Sequence, residues 1–237
     1  MHILNMVKED LNNFNDKKRG EALPKFFQVF PGGYGEGDEF LGITVPNQRS
    51  VSKKYYQDIC LNDLEQLLWE PIHEYRLTSL FMLVLKYQKS KDESLQKEIV
   101  QLYLKNIERV NNWDLVDLSA YHILGPYLMD KNRQLLYNLA KSDNLWVQRI
   151  AIIATMHFIR NKQFDDTLSI AEILLNHKHD LIHKAVGWML REVGKKDYDV
   201  EYAFLIKHYK TMPRTMLRYA IERFPEEVRQ GFLKGKY

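Results

Sequence analysis

The chain has 237 residues, of which 45% are hydrophobic and 27% are charged, the profile of an ordinary folded protein with a sizeable core. Its longest apolar run, residues 80–85, is far shorter than the roughly 20 residues that a membrane-spanning helix requires. The one cysteine, Cys60, excludes a disulfide framework and a thiolate metal site; we expect Cys60 in the core of a cytoplasmic protein.

Charge is unevenly distributed along the chain, although the formal net charge is only +3. Residues 176–237 carry 13 Lys and Arg against 8 Asp and Glu. A basic C-terminal third suggests an anionic partner that is bound on one side of the protein. A solvated, lysine-bearing surface explains the same charge equally well, so charge alone does not decide between the two.

The first 46 residues contain two predicted helices and then a glycine-rich segment. Apolar residues recur at helical spacing in residues 1–14 and 19–30. Five of the eleven glycines then fall between Gly32 and Gly42, and the β-favouring triplet Ile43-Thr44-Val45 follows. We therefore predict an irregular β-hairpin over about residues 28–45, with Tyr34 near its tip. The segment lacks the Gly-Lys-Ser/Thr ending of a phosphate-binding loop, so a protruding finger or a plain connecting loop is favoured over a nucleotide site.

From Asn47 onward the pattern is helical, and it repeats. Charged residues recur in the first turns of successive predicted helices, at spacings of 38, 35, 35 and 34 residues; they are Arg76, Asp114, Arg149, Lys184 and Arg218. A near-constant period of this length is typical of stacked helix pairs. The predicted fold is therefore all-α: a single-domain HEAT-like α-solenoid over residues 1–237, with the β-hairpin inserted near its N-terminus.

One helix of each pair in such a solenoid lines a concave surface, and cationic residues recur at that position. Lys184, Trp188, Arg191 and Lys195 follow a single helical stripe, and Arg214 and Arg218 are four residues apart. A cationic stripe that includes a tryptophan suits contact with phosphates and with sugars or bases. The predicted DNA-contacting residues are Arg76, Arg149, Lys184, Arg191, Lys195, Arg214, Arg218 and, in the hairpin, Tyr34.

Four segments carry a resemblance to a known family. They are Asn112-Trp-Asp-Leu-Val-Asp117, Asn144-Leu-Trp-Val-Gln-Arg149, Lys184-Ala-Val-Gly-Trp-Met-Leu-Arg-Glu192 and Met212-Pro-Arg-Thr-Met-Leu-Arg-Tyr-Ala-Ile221. Together they resemble the AlkD-type HEAT-like-repeat DNA glycosylases of the DNA alkylation repair superfamily, over most of the chain.

The resemblance implies a catalytic cleft and a chemistry. Trp113, Asp117 and Trp188 match the family's cleft residues, and Arg149 matches its DNA-contacting arginine. A cationic 3- or 7-alkylpurine leaves as a neutral base, so the enzyme needs mainly to stabilise an oxocarbenium-like sugar and to place a water. A carboxylate and two indole faces can do both.

The sequence also departs from the glycosylase pattern in two places. Glycosylase members carry a second tryptophan at the position of Asn112, and they lack the glycine-rich segment, which resembles the AlkF-type branch associated with branched DNA. We therefore expect a monomer that binds double-stranded or branched DNA without excising bases, and that needs no cofactor, metal or membrane. An active alkylpurine N-glycosylase is the alternative, and a HEAT-like scaffold for another protein is a third possibility.

Structural roles compete with each functional assignment. Trp113 and Trp188 could be packing residues, and Asp117 could be an ion-pair partner of Arg149. We place Trp69 and Trp146 in the core. The three histidines at positions 177, 179 and 183 do not follow an ordinary zinc motif.

Overall fold

The computed structural model describes residues 2–237. Over that range it contains α-helices and two short 3-10 helices but no β-strand; the one isolated β-bridge joins Glu39 and Ile72. The all-helical part of the prediction is confirmed. The β-hairpin predicted for residues 28–45 is wrong.

The chain forms two compact units that meet in sequence between Ser119 and Ala120. The helices of the first unit are α1 (Ile3–Asn12), α2 (Lys17–Phe26), α3 (Val45–Tyr55), α4 (Leu61–Trp69), α5 (His73–Lys89), α6 (Glu93–Lys105) and α7 (Trp113–Asp117). Those of the second are α8 (Ala120–Tyr127), α9 (Gln134–Ala140), α10 (Leu145–Ala154), α11 (Met156–Arg160), α12 (Asp165–Ile173), α13 (Asp180–Gly194), α14 (Tyr198–His208), α15 (Arg214–Ala220) and α16 (Glu226–Leu233). The prediction of a single domain stays a prediction.

Helix α5 is the centre of the first unit. Helices α3, α4 and α6 pack against it, and every residue from His73 to Val84 is buried. A helix that is enclosed in this way has no solvent-facing side. Its polar residues must therefore find partners inside the protein.

Helix α13 is the corresponding centre of the second unit and packs against α10, α12, α14 and α15. At its contact with α15, a Cβ atom on Gly187 would lie 2.5 Å from the carbonyl oxygen of Met216, so only glycine allows this approach. Arg149, Lys184 and Arg218 are each the fifth residue of their helices, α10, α13 and α15. The predicted period thus marks equivalent positions on three successively packed helices of this unit.

The glycine-rich segment is a series of turns that is held by a side chain. Gly32, Gly37 and Gly42 have φ angles of 78°, 88° and 80°. One carboxylate, that of Glu74 on α5, accepts hydrogen bonds from the backbone N–H groups of Leu41, Gly42 and Ile43 at 3.1, 2.8 and 3.2 Å. These N–H groups need no partner strand, because the carboxylate satisfies them.

The triplet that favoured a strand instead opens a helix. Thr44 is the N-cap of α3, with its Oγ1 accepting from the N–H of Asn47 at 3.5 Å, and Pro46 occupies the first turn. A threonine followed by an early proline is a helix-start signal that outweighed the β propensity of Ile43 and Val45.

A buried charge cluster joins the glycine-rich segment to α5 and α7. Asp38 accepts from His73 Nδ1 at 2.9 Å, from Arg76 and from Asn112 Nδ2 at 3.3 Å. The other ring nitrogen of His73 lies 2.8 Å from the Asp114 carboxylate. Two carboxylates facing both ring nitrogens require a doubly protonated imidazolium. Two anions and two cations therefore compensate one another within this cluster.

The position of His73 makes the stability of the protein depend on pH. Burial alone lowers the pKa of His73, but the carboxylates of Asp114 and Asp38 outweigh it and raise the pKa to about 9. The imidazolium therefore stabilises the folded state fully below about pH 6.5, the pKa of an unfolded histidine. That contribution is lost as the pH rises from 6.5 through 9.

We expect the wild-type free energy of unfolding, measured by urea denaturation, to fall between pH 6.5 and 9 more steeply than that of His73→Gln, which cannot titrate. The His73→Gln variant should also be several kcal/mol less stable at pH 6, because it leaves buried carboxylates without their cation, a loss of about 3–5 kcal/mol. Parallel pH profiles for the two proteins would contradict a protonated His73 in the folded state.

Candidate nucleic-acid interface

One face of the Trp113 indole is covered by the C-terminal end of α2. The ring of Phe27 stacks on it with 5.5 Å between ring centroids and 8° between planes, and Phe26 meets it edge-on at 5.9 Å. Phe27 is also in ring contact with Phe40 and His73, at 4.9 Å in each case. Trp113 is half-buried, and one of its faces is already taken by a phenylalanine.

Asn112 explains one departure from the glycosylase pattern. Its side chain is fully buried; Nδ2 donates to Asp38 and Oδ1 accepts from the N–H of Trp113 at 2.9 Å. An indole at this position has no carbonyl oxygen for the helix start and is far larger than the amide. The asparagine thus joins the beginning of α7 to the glycine-rich segment.

Asp117, the other predicted catalytic residue of the first unit, is half-buried at the last position of α7. It lies near Tyr103, whose hydroxyl is 3.0 Å from Ser119 Oγ. Burial raises the pKa of Tyr103, and the negative charge of Asp117 adds to that effect. Asp117 is thus a partly exposed carboxylate close to a neutral tyrosine.

Two predicted DNA contacts of the first unit are corrected by their surroundings. Arg76 is fully buried and donates to Asp38 and, from Nη1, to Asn111 Oδ1 at 2.6 Å, so it offers no surface to a phosphate. It shares the repeat period but lies on the enclosed helix α5. Tyr34 is half-buried, and its hydroxyl donates to the carbonyl oxygen of Phe26 at 3.3 Å. It is therefore not an exposed tip.

The predicted cations of the second unit differ in exposure. Arg214 and Arg218 are exposed on α15, and neither has an ion-pair partner within residues 2–237. Lys184 is 2.7 Å from Asp180 with 40% of its side chain exposed. Arg149 is 5% exposed and donates from Nη1 to the carbonyl oxygen of Leu181, which ties α10 to the first turn of α13.

The other two cations surround an acidic side chain beside Trp188. Glu192 accepts from Trp188 Nε1 at 3.2 Å and from Lys195 Nζ at 2.6 Å. Arg191 pairs with Glu222 and lies 3.8 Å from Glu192. The indole is thereby fixed in orientation by its own helix.

Trp188 lines a pocket of about 380 Å³ in the second unit, the size range of small-ligand sites. Its lining combines one indole, two apolar side chains, three cations and one carboxylate: Met156, Ile159, Arg160, Trp188, Glu192, Lys195 and Lys196. Such a lining suits a group that pairs a negative charge with a flat or apolar surface, as a nucleotide does.

Other expectations have mixed outcomes. Trp146 is 7% exposed, which confirms its place in the core, whereas Trp69 is 51% exposed and Cys60 is exposed, so both of those core predictions are wrong. The Trp69 indole donates to Oδ1 of the buried Asn106 at 2.7 Å, so the polar edge of this exposed ring has a partner inside the protein. Within residues 2–237 no group of three or more His, Cys, Asp or Glu side chains could hold a metal ion. No helix in the same range is long and apolar enough to cross a membrane.

Sequence reasoning missed the charge cluster and one further acid. The sequence did contain a signal for the charge cluster: a histidine and an arginine lie within the otherwise apolar α5, and such residues require partners when they are buried. The further acid is Glu201, which is 1% exposed and has no hydrogen-bond partner for Oε1. Burial raises its pKa to about 9; nearby Arg191 opposes this shift and Glu192 reinforces it.

Glu201 therefore keeps its proton in the folded protein at neutral pH, whereas it ionises in the unfolded chain above about pH 4.5. This difference costs stability that grows as the pH rises from 4.5 to 9. We expect Glu201→Gln, which cannot ionise, to gain in free energy of unfolding relative to wild type across that interval. Urea denaturation at several pH values would measure the gain. Glu227→Gln, at an exposed position, is the control. An equal gain in free energy of unfolding with pH in Glu227→Gln would contradict a buried, protonated Glu201.

Comparison with known proteins shows the family and the fold of this chain. The family model described as DNA alkylation repair enzyme matches residues 7–224. Among solved structures, a predicted DNA alkylation repair enzyme from Enterococcus faecalis superposes with a TM-score of 0.69 at 15% identity, covering 90% of this chain and 97% of that one. That likeness shows the fold alone, and a search of curated protein sequences gives no significant match. The chain belongs to the DNA alkylation repair enzyme family.

Proposed function

We propose that this protein binds double-stranded DNA, including branched or distorted DNA, and does not excise bases. The observation that carries the proposal is the pair of exposed arginines Arg214 and Arg218 on α15, which packs directly against the Lys184-bearing helix α13. Two exposed arginines that lack acidic partners within residues 2–237, four residues apart on one helix, suit the regularly spaced phosphates of DNA. Family membership supports a role in DNA repair.

The absence of base excision rests on the environment of Trp113. In the mechanism that the family resemblance implies, this indole flanks the sugar. Here Phe27 stacks on one face of Trp113, and Asn112 fixes the adjoining segment through Asp38. A sugar on that face would have to displace a stacked aromatic ring.

The alternative is an alkylpurine N-glycosylase that uses Asp117, Trp113 and Trp188. The observation that favours it is the open pocket beside Trp188, together with an Asp117 that is not fully buried. In the reaction that the family resemblance implies, Asp117 would stabilise the developing positive charge on the sugar and orient the attacking water.

The first test of the proposal is affinity as a function of salt. We expect Arg214→Gln/Arg218→Gln to bind a linear duplex and a four-way junction more weakly than wild type in fluorescence anisotropy. Each lost phosphate contact lowers the slope of log Kd against log salt by about 0.9, so the slope should fall by about 2. Lys89→Gln/Lys91→Gln removes the same charge from exposed positions of the first unit and should change neither quantity. Equal losses in both double variants would contradict specific contacts by α15. We also expect wild type to prefer the junction to the linear duplex, and equal affinities would contradict a role in binding branched DNA.

The second test is release of base from duplex DNA that contains 7-methylguanine. We expect wild type and Asp117→Asn to give the same background release, because neither performs excision. Release by wild type that Asp117→Asn abolishes would overturn this part of the proposal and establish the glycosylase alternative.

A further inference from the structure

Two exposed phenylalanines mark a second surface, in the first unit. Phe26 and Phe30 are 63% and 56% exposed, the highest values for large apolar side chains within residues 2–237. They flank the end of α2, while Phe27 between them turns inward and is 6% exposed. Leaving two neighbouring phenyl rings in water is unfavourable, and exposed apolar patches commonly mark binding sites.

The two phenylalanines project from a firmly anchored segment. Inward-facing Phe27 stacks on Trp113, and the Phe26 carbonyl oxygen accepts from the Tyr34 hydroxyl. Further along the segment, Asp38 is bound within the charge cluster. Side chains on such a base lose little conformational entropy when they bind a partner.

Cations without acidic partners lie on the helix that ends at Phe26. Helix α2 carries the exposed residues Lys17, Lys18, Arg19 and Lys25, and none of them has an ion-pair partner among residues 2–237. Its one acidic residue is Glu21. Arg19 and Phe26 are seven residues apart, as are Lys18 and Lys25, so each pair lies on one side of the helix. Lys25 therefore adjoins Phe26 in sequence, and Arg19 lies about two helical turns from Phe26 on the same side of α2.

We propose that Phe26 and Phe30, with Lys18, Arg19 and Lys25, form a binding site for single-stranded nucleic acid. Unstacked bases pack on the phenyl rings and the neighbouring cations contact the phosphates, the combination by which single strands are bound without sequence preference. This surface is independent of the α15 arginines and takes a different form of nucleic acid. A paired duplex offers the rings no base face.

The test uses the full chain and a labelled 20-nucleotide oligothymidine in fluorescence anisotropy. Phe30 makes no ring contact with the rest of the described chain, so Phe30→Ala removes an exposed ring without disturbing the core. We expect Phe30→Ala to weaken binding by about 5-fold or more, and Phe26→Ala/Phe30→Ala to weaken it further. Lys18→Gln/Lys25→Gln should reduce the dependence of binding on salt.

Phe14→Ala is the matched control, because Phe14 is an exposed phenylalanine two residues after the end of α1, 41% accessible, outside the patch. Duplex affinity should survive Phe30→Ala but fall in Arg214→Gln/Arg218→Gln, which separates this site from the proposed duplex contacts. Three results would overturn the proposal: no binding of oligothymidine by wild type, equal affinity in Phe30→Ala, or an equal loss in Phe14→Ala. Patch-dependent binding to vesicles of anionic phospholipid, with no oligothymidine binding, would assign the surface to membranes instead.

Discussion

The structure of the first unit depends on compensation of the buried Asp38 carboxylate. A carboxylate that is 8% exposed is tolerated only when cations and hydrogen-bond donors surround it, and His73, Arg76 and Asn112 supply them. Burial raises the pKa of Asp38, but the hydrogen bond from His73 and the charge of Arg76 outweigh it and hold the pKa below its usual value. The three partners come from α5 and from the residue that precedes α7. The glycine-rich segment, which has no regular structure of its own, is positioned by this arrangement.

Helical spacing predicted most of the helices, because amphipathic periodicity is a local property of the chain. The equivalent positions of Arg149, Lys184 and Arg218 were found in the same way. The hairpin prediction failed because the partner of residues 41–43 is a side chain 31 to 33 residues away, and no local signal reveals such a pairing. Arg76 was misplaced for a related reason: a repeat period gives the position of a residue along a helix, not which helices enclose it.

The candidate sites also include features that the sequence predicts and features that it does not. Exposed arginines on α15 follow from spacing and charge, which are visible in the sequence. The covering of Trp113 by Phe27 does not, since it brings together residues 86 positions apart through a segment whose path is fixed by buried charge. The exposure of Phe26 and Phe30 could not be predicted from the sequence either, because apolar residues at the end of an amphipathic helix are ordinarily assigned to the core.

The hydrogen bond between Asn112 and Asp38 couples two features that the sequence shows separately. Asn112 precedes α7, and Asp38 lies 74 residues earlier, in the glycine-rich segment. A tryptophan at position 112 would remove one partner of the buried Asp38, and an apolar residue at position 38 would leave the buried amide of Asn112 without its acceptor. The start of α7 and the path of the glycine-rich segment are therefore interdependent, although neither is visible in the local sequence of the other.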